Sequence, residues 1–141
     1  MTHIEPYSLW LGHEGDGRDF RRLFDAGIQA VVQLALEVPP IQTPREMIYL
    51  RFPLYDGQGN DPDLLTLAIN TLAALVRTGT PTLTCCAAGM RRTPAIAAAA
   101  LSRVHGESPK QWLERIARHH PTDVSPAFWT EVRSALALLN P

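Results

Sequence analysis

The chain has little with which to bind by bulk charge or to staple itself covalently. Its 141 residues carry 13 lysines and arginines against 14 aspartates and glutamates, a formal net charge of −1. Bulk electrostatics therefore supply no attraction to nucleic acid or to an anionic membrane, and any basic site must be local. Apolar runs are short: the stretch 95–101 is mostly alanine and falls far below the roughly 20 residues needed to cross a bilayer. The start MTHIEPYSLWLGHEGD lacks a basic segment followed by an apolar one, so no signal peptide is expected. Cysteine is scarce, with two in the chain, adjacent at 85 and 86. A vicinal bridge is strained and closes no useful loop. The simplest setting is a reducing cytoplasm in which a monomer keeps its thiols free.

What remains is ordinary for a soluble globular protein: 45% hydrophobic and 19% charged residues, enough for one domain over residues 1–141 with a single core. Twelve prolines punctuate a pattern whose apolar periodicity continues between them, which predicts firmly ended elements. Residues 9–11 read as a short strand, and 18–26 as a helix near an N-cap at Asp16, stopped by Gly27. Residues 28–36 are apolar on both faces at their centre, as in a buried strand. Pro39-Pro40 breaks it, and 47–54 alternates as another strand. Residues 55–62, Tyr-Asp-Gly-Gln-Gly-Asn-Asp-Pro, carry turn signals throughout. Residues 62–77 repeat leucine and alanine at helical steps, and 81–84 form a brief strand. Thr93 before Pro94 reads as an N-cap for a helix to His105, ended by Gly106. Ser108-Pro109 and Ser125-Pro126 open two more helices. The expected fold is α/β: a small, mostly parallel central sheet flanked by helices, with a helical C-terminal half.

The strand at 81–84 runs into Cys-Cys-Ala-Ala-Gly-Met-Arg-Arg-Thr-Pro, residues 85–94. A strand entering a glycine-containing loop and then a helix N-terminus builds an anion site from backbone amides and the helix dipole. A cysteine at the start of such a loop is favoured as thiolate, and a guanidinium at its end grips two phosphoryl oxygens at once. Two registers compete, Cys85 with Arg91 and Cys86 with Arg92. From Cys86, Gly89 falls in mid-loop, where the backbone turns sharply. Arg92 then closes the loop, and Thr93 offers a hydroxyl. From Cys85 the mid-loop residue is Ala88. The pattern selects Cys86 and Arg92.

With Gly89 and Thr93 included, the loop resembles the signature His-Cys-x-x-Gly-x-x-Arg-Ser/Thr of the cysteine-based protein tyrosine phosphatases. It is closest to their small dual-specificity branch. Residues 7–12, 27–36, 52–56 and 125–129 resemble that branch's opening strand, second strand, general-acid strand and closing helix, in the same order. The resemblance implies a dual-specificity-type phosphatase fold and hydrolysis of phosphate monoesters through a phosphocysteine intermediate, with neither metal nor cofactor. Cys86 would be the nucleophile, and Arg92 with the backbone of Ala87, Ala88, Gly89, Met90 and Arg91 would hold the phosphoryl oxygens. Asp56 would be the general acid and base, with Asp61 the alternative on the same loop, and Thr93 would ease departure of the thiolate. Asp63 reads instead as part of the next helix's first turn.

The partners implied are a phosphorylated protein or a small phosphomonoester, with no nucleic-acid surface and no membrane. Ala87, Ala88 and Met90 lack the lysines of phosphoinositide-directed relatives, which favours phosphotyrosine or phosphoserine/threonine proteins over RNA, phosphoinositides or sugar phosphates. Short connections favour a shallow cleft. Cys85 stands where the family has histidine, with neither its charge nor its hydrogen bonds. That implies slower turnover and keeps two other classes in view: a weak or dead phosphate-binding pseudophosphatase, and a sulfur-transferring rhodanese-like enzyme. Cys85 itself reads as core, and Arg91 as solvated or touching a second substrate phosphate. His13, His119 and His120 lack partners at ligand spacing and read as solvated or capping. Trp112, Phe128 and Trp129 read as packing residues.

Overall fold

The computed structural model describes residues 1–140. In chain order the elements are β1 (Thr2–His3), β2 (Leu9–Gly12), α1 (Glu14–Arg18), α2 (Phe20–Asp25), β3 (Ala30–Ala35), β4 (Ile48–Leu54), α3 (Pro62–Arg77), β5 (Thr82–Cys85), α4 (Arg92–His105), α5 (Pro109–Ala117) and α6 (Pro126–Leu139). The five strands form one sheet in the order β1-β2-β5-β3-β4. Only the short edge strand β1 runs antiparallel. β5 therefore lies between β2 and β3, and its carboxyl end opens where the chain leaves the sheet in different directions, the usual crevice of α/β folds.

The two faces of the sheet are unequal. One carries α3 to α6 over a large core that includes Leu9, Leu11, Leu54, Ile69, Ile96 and Phe128. The other carries a smaller cluster of Leu23, Ile28, Val31, Ile41, Met47, Leu83 and Cys85. α4 is buried along most of its length, from Arg92 to Ser102, which explains its run of alanines: it is the helix wedged between the sheet and α3, α5 and α6, where small side chains allow close approach. Trp112 and Phe128 are core residues, and Trp129 packs partly buried against them.

Several local rules differ from the sequence reading. The helix expected over 18–26 is two short helices, and Asp16 caps neither. His13 caps α1, accepting from the amides of Gly15 and Asp16, while Asp16 returns the bond to the His13 amide. Asp19 caps α2. α4 begins at Arg92 rather than after Thr93, so Thr93 is not its N-cap. Pro94 lacks an N–H, and a proline fits anywhere in the first turn where amides have no helical partner. That tolerance left the start of α4 open by two residues. Among the described residues no helix is long and apolar enough to cross a membrane.

Candidate active site

The 86–91 loop leaves the end of β5 and returns as α4. Along β5, side chains alternate between the two faces, so Leu83 and Cys85 belong to the smaller cluster and Cys86 to the larger. Cys86 is buried at the base of the loop with 2% exposure. Gly89 has φ +78, and a Cβ there would lie 2.4 Å from the Gly12 carbonyl oxygen. The turn is thus pressed against the end of β2, and only glycine meets both demands. From outside, the Glu14 amide donates to the Ala87 carbonyl (3.1 Å) and the Asp123 amide to the Met90 carbonyl (2.8 Å).

Arg92, in the first turn of α4, is buried with 2% exposure. Its guanidinium offers five hydrogens. Glu37 takes one from each Nη at 2.6 Å, and the Leu54 carbonyl takes the second from Nη1 at 2.9 Å. The Nε hydrogen and the remaining Nη2 hydrogen are left on one edge, and Nε is buried without a partner. A buried donor left unpaired costs about 1–3 kcal/mol, so this edge calls for an acceptor. Thr93 Oγ1 is likewise buried and unpaired. The N-cap position, Arg91, makes no side-chain cap, leaving the first-turn amides open to an anion. Burial opposes the Arg92 charge, but Glu37, Cys86 and Asp56 all act on it and hold it more firmly charged than a free arginine. In return the Arg92 guanidinium holds the Glu37 carboxyl below the usual carboxylate range.

Glu37 was missed by sequence reasoning. It follows directly on β3, at the sheet's carboxyl edge where such sites gather, and that position was the available signal.

The 55–61 loop approaches from β4. Asp56 Oδ2 lies 3.9 Å from Arg91 Nη1, and Arg91 Nη2 lies 3.2 Å from Asp123 Oδ2. Arg91 is exposed, as a solvated charge would be, and lies beside two surface carboxylates, of which Asp123 accepts a hydrogen bond from it. Asp61 is turned away: it caps α3, accepting from the Asp63 amide at 2.9 Å, and Asp63 sits in the first turn. Cys86 and Asp56 both lie close enough to Arg92 for their charges to act on it, while Asp61 is committed to the α3 N-terminus. Asn60 shapes this loop, accepting from the Tyr55 amide and donating to the Tyr55 and Gly57 carbonyls. Glu131 of α6 pins it from outside, accepting from the Gly59 amide (2.8 Å), the Asn60 amide (3.2 Å) and the Asn60 side chain (3.0 Å). Burial raises the affinity of Glu131 for a proton, but these three bonds outweigh it and the carboxyl ends below its usual range. No local pattern could have paired residues 71 positions apart.

Cys85 is fully buried on the opposite face from Cys86, and burial pushes its thiol well above the usual range. Gln33 Nε2 donates to its sulfur at 3.6 Å. A Cβ on Gly17 would stand 3.1 Å from that sulfur and 3.2 Å from Ile41, so the space is filled. Cys85→His is therefore expected to lower stability by about 1–3 kcal/mol through overpacking, with no gain in turnover, as measured by urea unfolding and steady-state kinetics.

His13 caps a helix and His119 is exposed, but His120 is neither solvated nor capping. It is buried, with Nε2 2.6 Å from the Gly89 carbonyl and Nδ1 2.8 Å from Thr2 Oγ1. Among the described residues, no three His, Cys, Asp or Glu side chains meet in a way that could hold a metal.

No family model matches the chain, and no curated protein matches it in sequence. Solved structures do. Human DUSP28 superposes with a TM-score of 0.85 at 25% identity, over 99% of this chain and 98% of its own. DUSP15 gives 0.79 at 23% identity over 99% and 94%, and PTPMT1 gives 0.80 at 19% over 99% and 96%. The fold is that of the small dual-specificity phosphatases of the cysteine-based tyrosine phosphatase superfamily.

Proposed function

We propose that the protein is a cysteine-dependent phosphatase that hydrolyses phosphate monoesters through a phosphocysteine intermediate. One observation carries the reading: the buried Arg92 guanidinium has every hydrogen engaged except those on one edge, beside Cys86 and the uncapped start of α4. That edge fits two oxygens of a phosphoryl group. In the first step the Cys86 sulfur bonds to phosphorus while the bond to the leaving oxygen breaks, and Asp56 gives that oxygen its proton. Arg92 and the amides of the 86–91 loop hold the equatorial oxygens as charge shifts among them. In the second step Asp56, now a carboxylate, takes a proton from water as the water oxygen bonds to phosphorus. The S–P bond breaks, and the sulfur leaves as thiolate with the Thr93 hydroxyl to receive its charge.

The substrate class follows from the mouth. Leu36, Tyr55 and Met90 are exposed apolar side chains, adjoining Glu37, Asp56 and the loop itself. Arg91 is already paired with Asp56 and Asp123, so little free positive charge remains for further phosphates. This supports a single phosphate on an apolar or aromatic group, as in phosphotyrosine proteins, over polyphosphorylated ligands. PTPMT1, which shares the fold, has been crystallised with PI(5)P, so a phosphoinositide is the natural counter-substrate in a screen.

The test is hydrolysis of p-nitrophenyl phosphate by the wild type, Cys86→Ser, Cys85→Ser and Asp56→Ala, with thiosulfate sulfurtransfer alongside. The wild type should hydrolyse the ester and Cys86→Ser should not. Asp56→Ala should lose about 10²- to 10⁴-fold, the usual contribution of a general acid, and sulfurtransfer should be absent. Activity lost in Cys85→Ser but kept in Cys86→Ser would reverse the register. A wild type that binds phosphate without turnover would make the protein a pseudophosphatase.

A further inference from the structure

A loop that binds an anion through its amides has to keep those amides turned inward against their tendency to face water. In a trans peptide the carbonyl and the following N–H point in opposite directions within one plane. Holding the carbonyl outward therefore aims the next amide inward. The 86–91 loop is held this way at three points. The Ala87 carbonyl accepts from the Glu14 amide, the Met90 carbonyl from the Asp123 amide, and the Gly89 carbonyl from His120 Nε2. Two of these anchors are backbone groups that belong to any sequence. The third is a side chain, and it makes the shortest contact, 2.6 Å.

His120 is held firmly enough to do this. It lies in the connector between α5 and α6 with 7% exposure. Thr122 Oγ1 donates to its carbonyl at 2.9 Å, and the same connector reaches the loop again through Asp123 and Arg91. A carbonyl oxygen only accepts, so Nε2 must carry the hydrogen. In the neutral ring Nδ1 is then an acceptor, and the Thr2 hydroxyl, 2.8 Å away, is placed to donate to it. The Gly89 carbonyl thus sets the tautomer, and the Thr2 hydroxyl, able to donate or accept, adapts to it and supports the far side of the ring. Cys85, the residue before the nucleophile, cannot take this part, because its sulfur faces the other side of the sheet.

We propose that His120 is a positioning residue of the phosphate-binding loop: its Nε2–H holds the Gly89 carbonyl outward and so keeps the Met90 amide on the bound phosphoryl group, with Thr2 supporting the far side of the ring. The inference rests on the phosphatase reading for its substrate, and its test is arranged so that the two can fail separately.

Tungstate, a phosphate mimic, is titrated calorimetrically into the wild type, His120→Leu and His120→Gln. Hydrolysis kinetics and thermal unfolding are followed for the same proteins. His120→Leu removes the donor at similar bulk, whereas the glutamine amide can donate in its place. The expected result is a 10- to 50-fold weaker tungstate affinity and a comparable loss in kcat for His120→Leu, with most of both recovered in His120→Gln at a similar unfolding temperature. If His120→Leu binds tungstate and turns over like the wild type, His120 has no such role and the phosphatase reading stands. If the wild type binds tungstate but hydrolyses nothing, the phosphatase reading fails and the binding arm alone decides on His120. An independent measurement needs no variant: nitrogen-15 NMR of the wild-type ring should find the hydrogen on Nε2, and the Nδ1–H tautomer would overturn the proposal.

Discussion

Gly89→Ala is expected to lower the unfolding free energy by about 2–5 kcal/mol and to abolish measurable tungstate binding. Two costs add. An L-residue at φ +78 pays roughly 1–2 kcal/mol for the left-handed conformation. The new Cβ would also sit 2.4 Å from the Gly12 carbonyl oxygen, 2.6 Å from its carbon and 3.0 Å from the His13 nitrogen. All three are backbone atoms at the end of β2, tied through Gly12 into the sheet, so relief has to come from the 86–91 loop itself. Overpacking of this kind costs about 1–3 kcal/mol. Gly79 provides the control. It has a similar φ of +69 but nothing within 4 Å of its would-be Cβ, so Gly79→Ala should show the conformational cost alone. For a chain of this length about 1 kcal/mol corresponds to a few degrees in Tm, and thermal unfolding separates the two variants. Equal losses at the two positions would mean that the loop does not press on β2 as described.

Arg92→Lys is expected to cost at least about 10³-fold in kcat/KM with only a small change in Tm. One preorganised donor to a developing oxyanion is worth about 10²- to 10³-fold, and the free guanidinium edge presents two. Lysine brings a point charge but cannot serve Glu37, the Leu54 carbonyl and a phosphoryl group in three fixed directions. Glu37→Gln is the companion variant. It keeps one acceptor for the guanidinium and loses the fork, so a loss of roughly tenfold is expected. Because both residues act on one group, the double variant should lose little beyond Arg92→Lys alone. Additive losses would separate Glu37 from the arginine. Acid gives a second measure of the pair. The Glu37 carboxyl is held below its usual value by Arg92. Its contribution is therefore complete above the unfolded carboxylate pKa of about 4.3 and disappears as pH falls through the lower folded value. With the Glu37 side chain 56% exposed, solvent screening keeps the effect on global stability small. It should be visible instead as weakened tungstate binding below about pH 4 in the wild type, and as a flatter profile in Glu37→Gln.

The sequence was most legible where one local rule sufficed. α3 runs from Pro62 to Arg77 as its leucine spacing and the N-terminal proline indicate. The Cys86 register is proposed from Gly89 and Thr93, both of which follow it at the spacing the loop requires. Where two local rules compete, the reading slips. Thr93-Pro94 satisfies the capping rule, yet the helix starts two residues earlier, because the open first-turn amides stay uncapped by any side chain. Contacts across the fold carry no local trace. Glu37 meets Arg92 55 residues away, Glu131 meets Asn60 across 71, and His120 meets Gly89 across 31. A single sequence records which residues have unusual chemistry, but a carboxylate that orders a guanidinium looks the same as one facing water.

The braces on the cleft come late in the chain. Cys86, Arg92 and Asp56 all precede residue 93, but several of the connections that hold their loops in shape come from His120, Asp123 and Glu131. A nascent chain that has reached α4 has every proposed reacting group and none of these later braces. These later connections become available only with the end of the chain, where α6 packs on α3. A fragment cut before residue 120 would carry the whole motif and lose the contacts of His120, Asp123 and Glu131 with its loops.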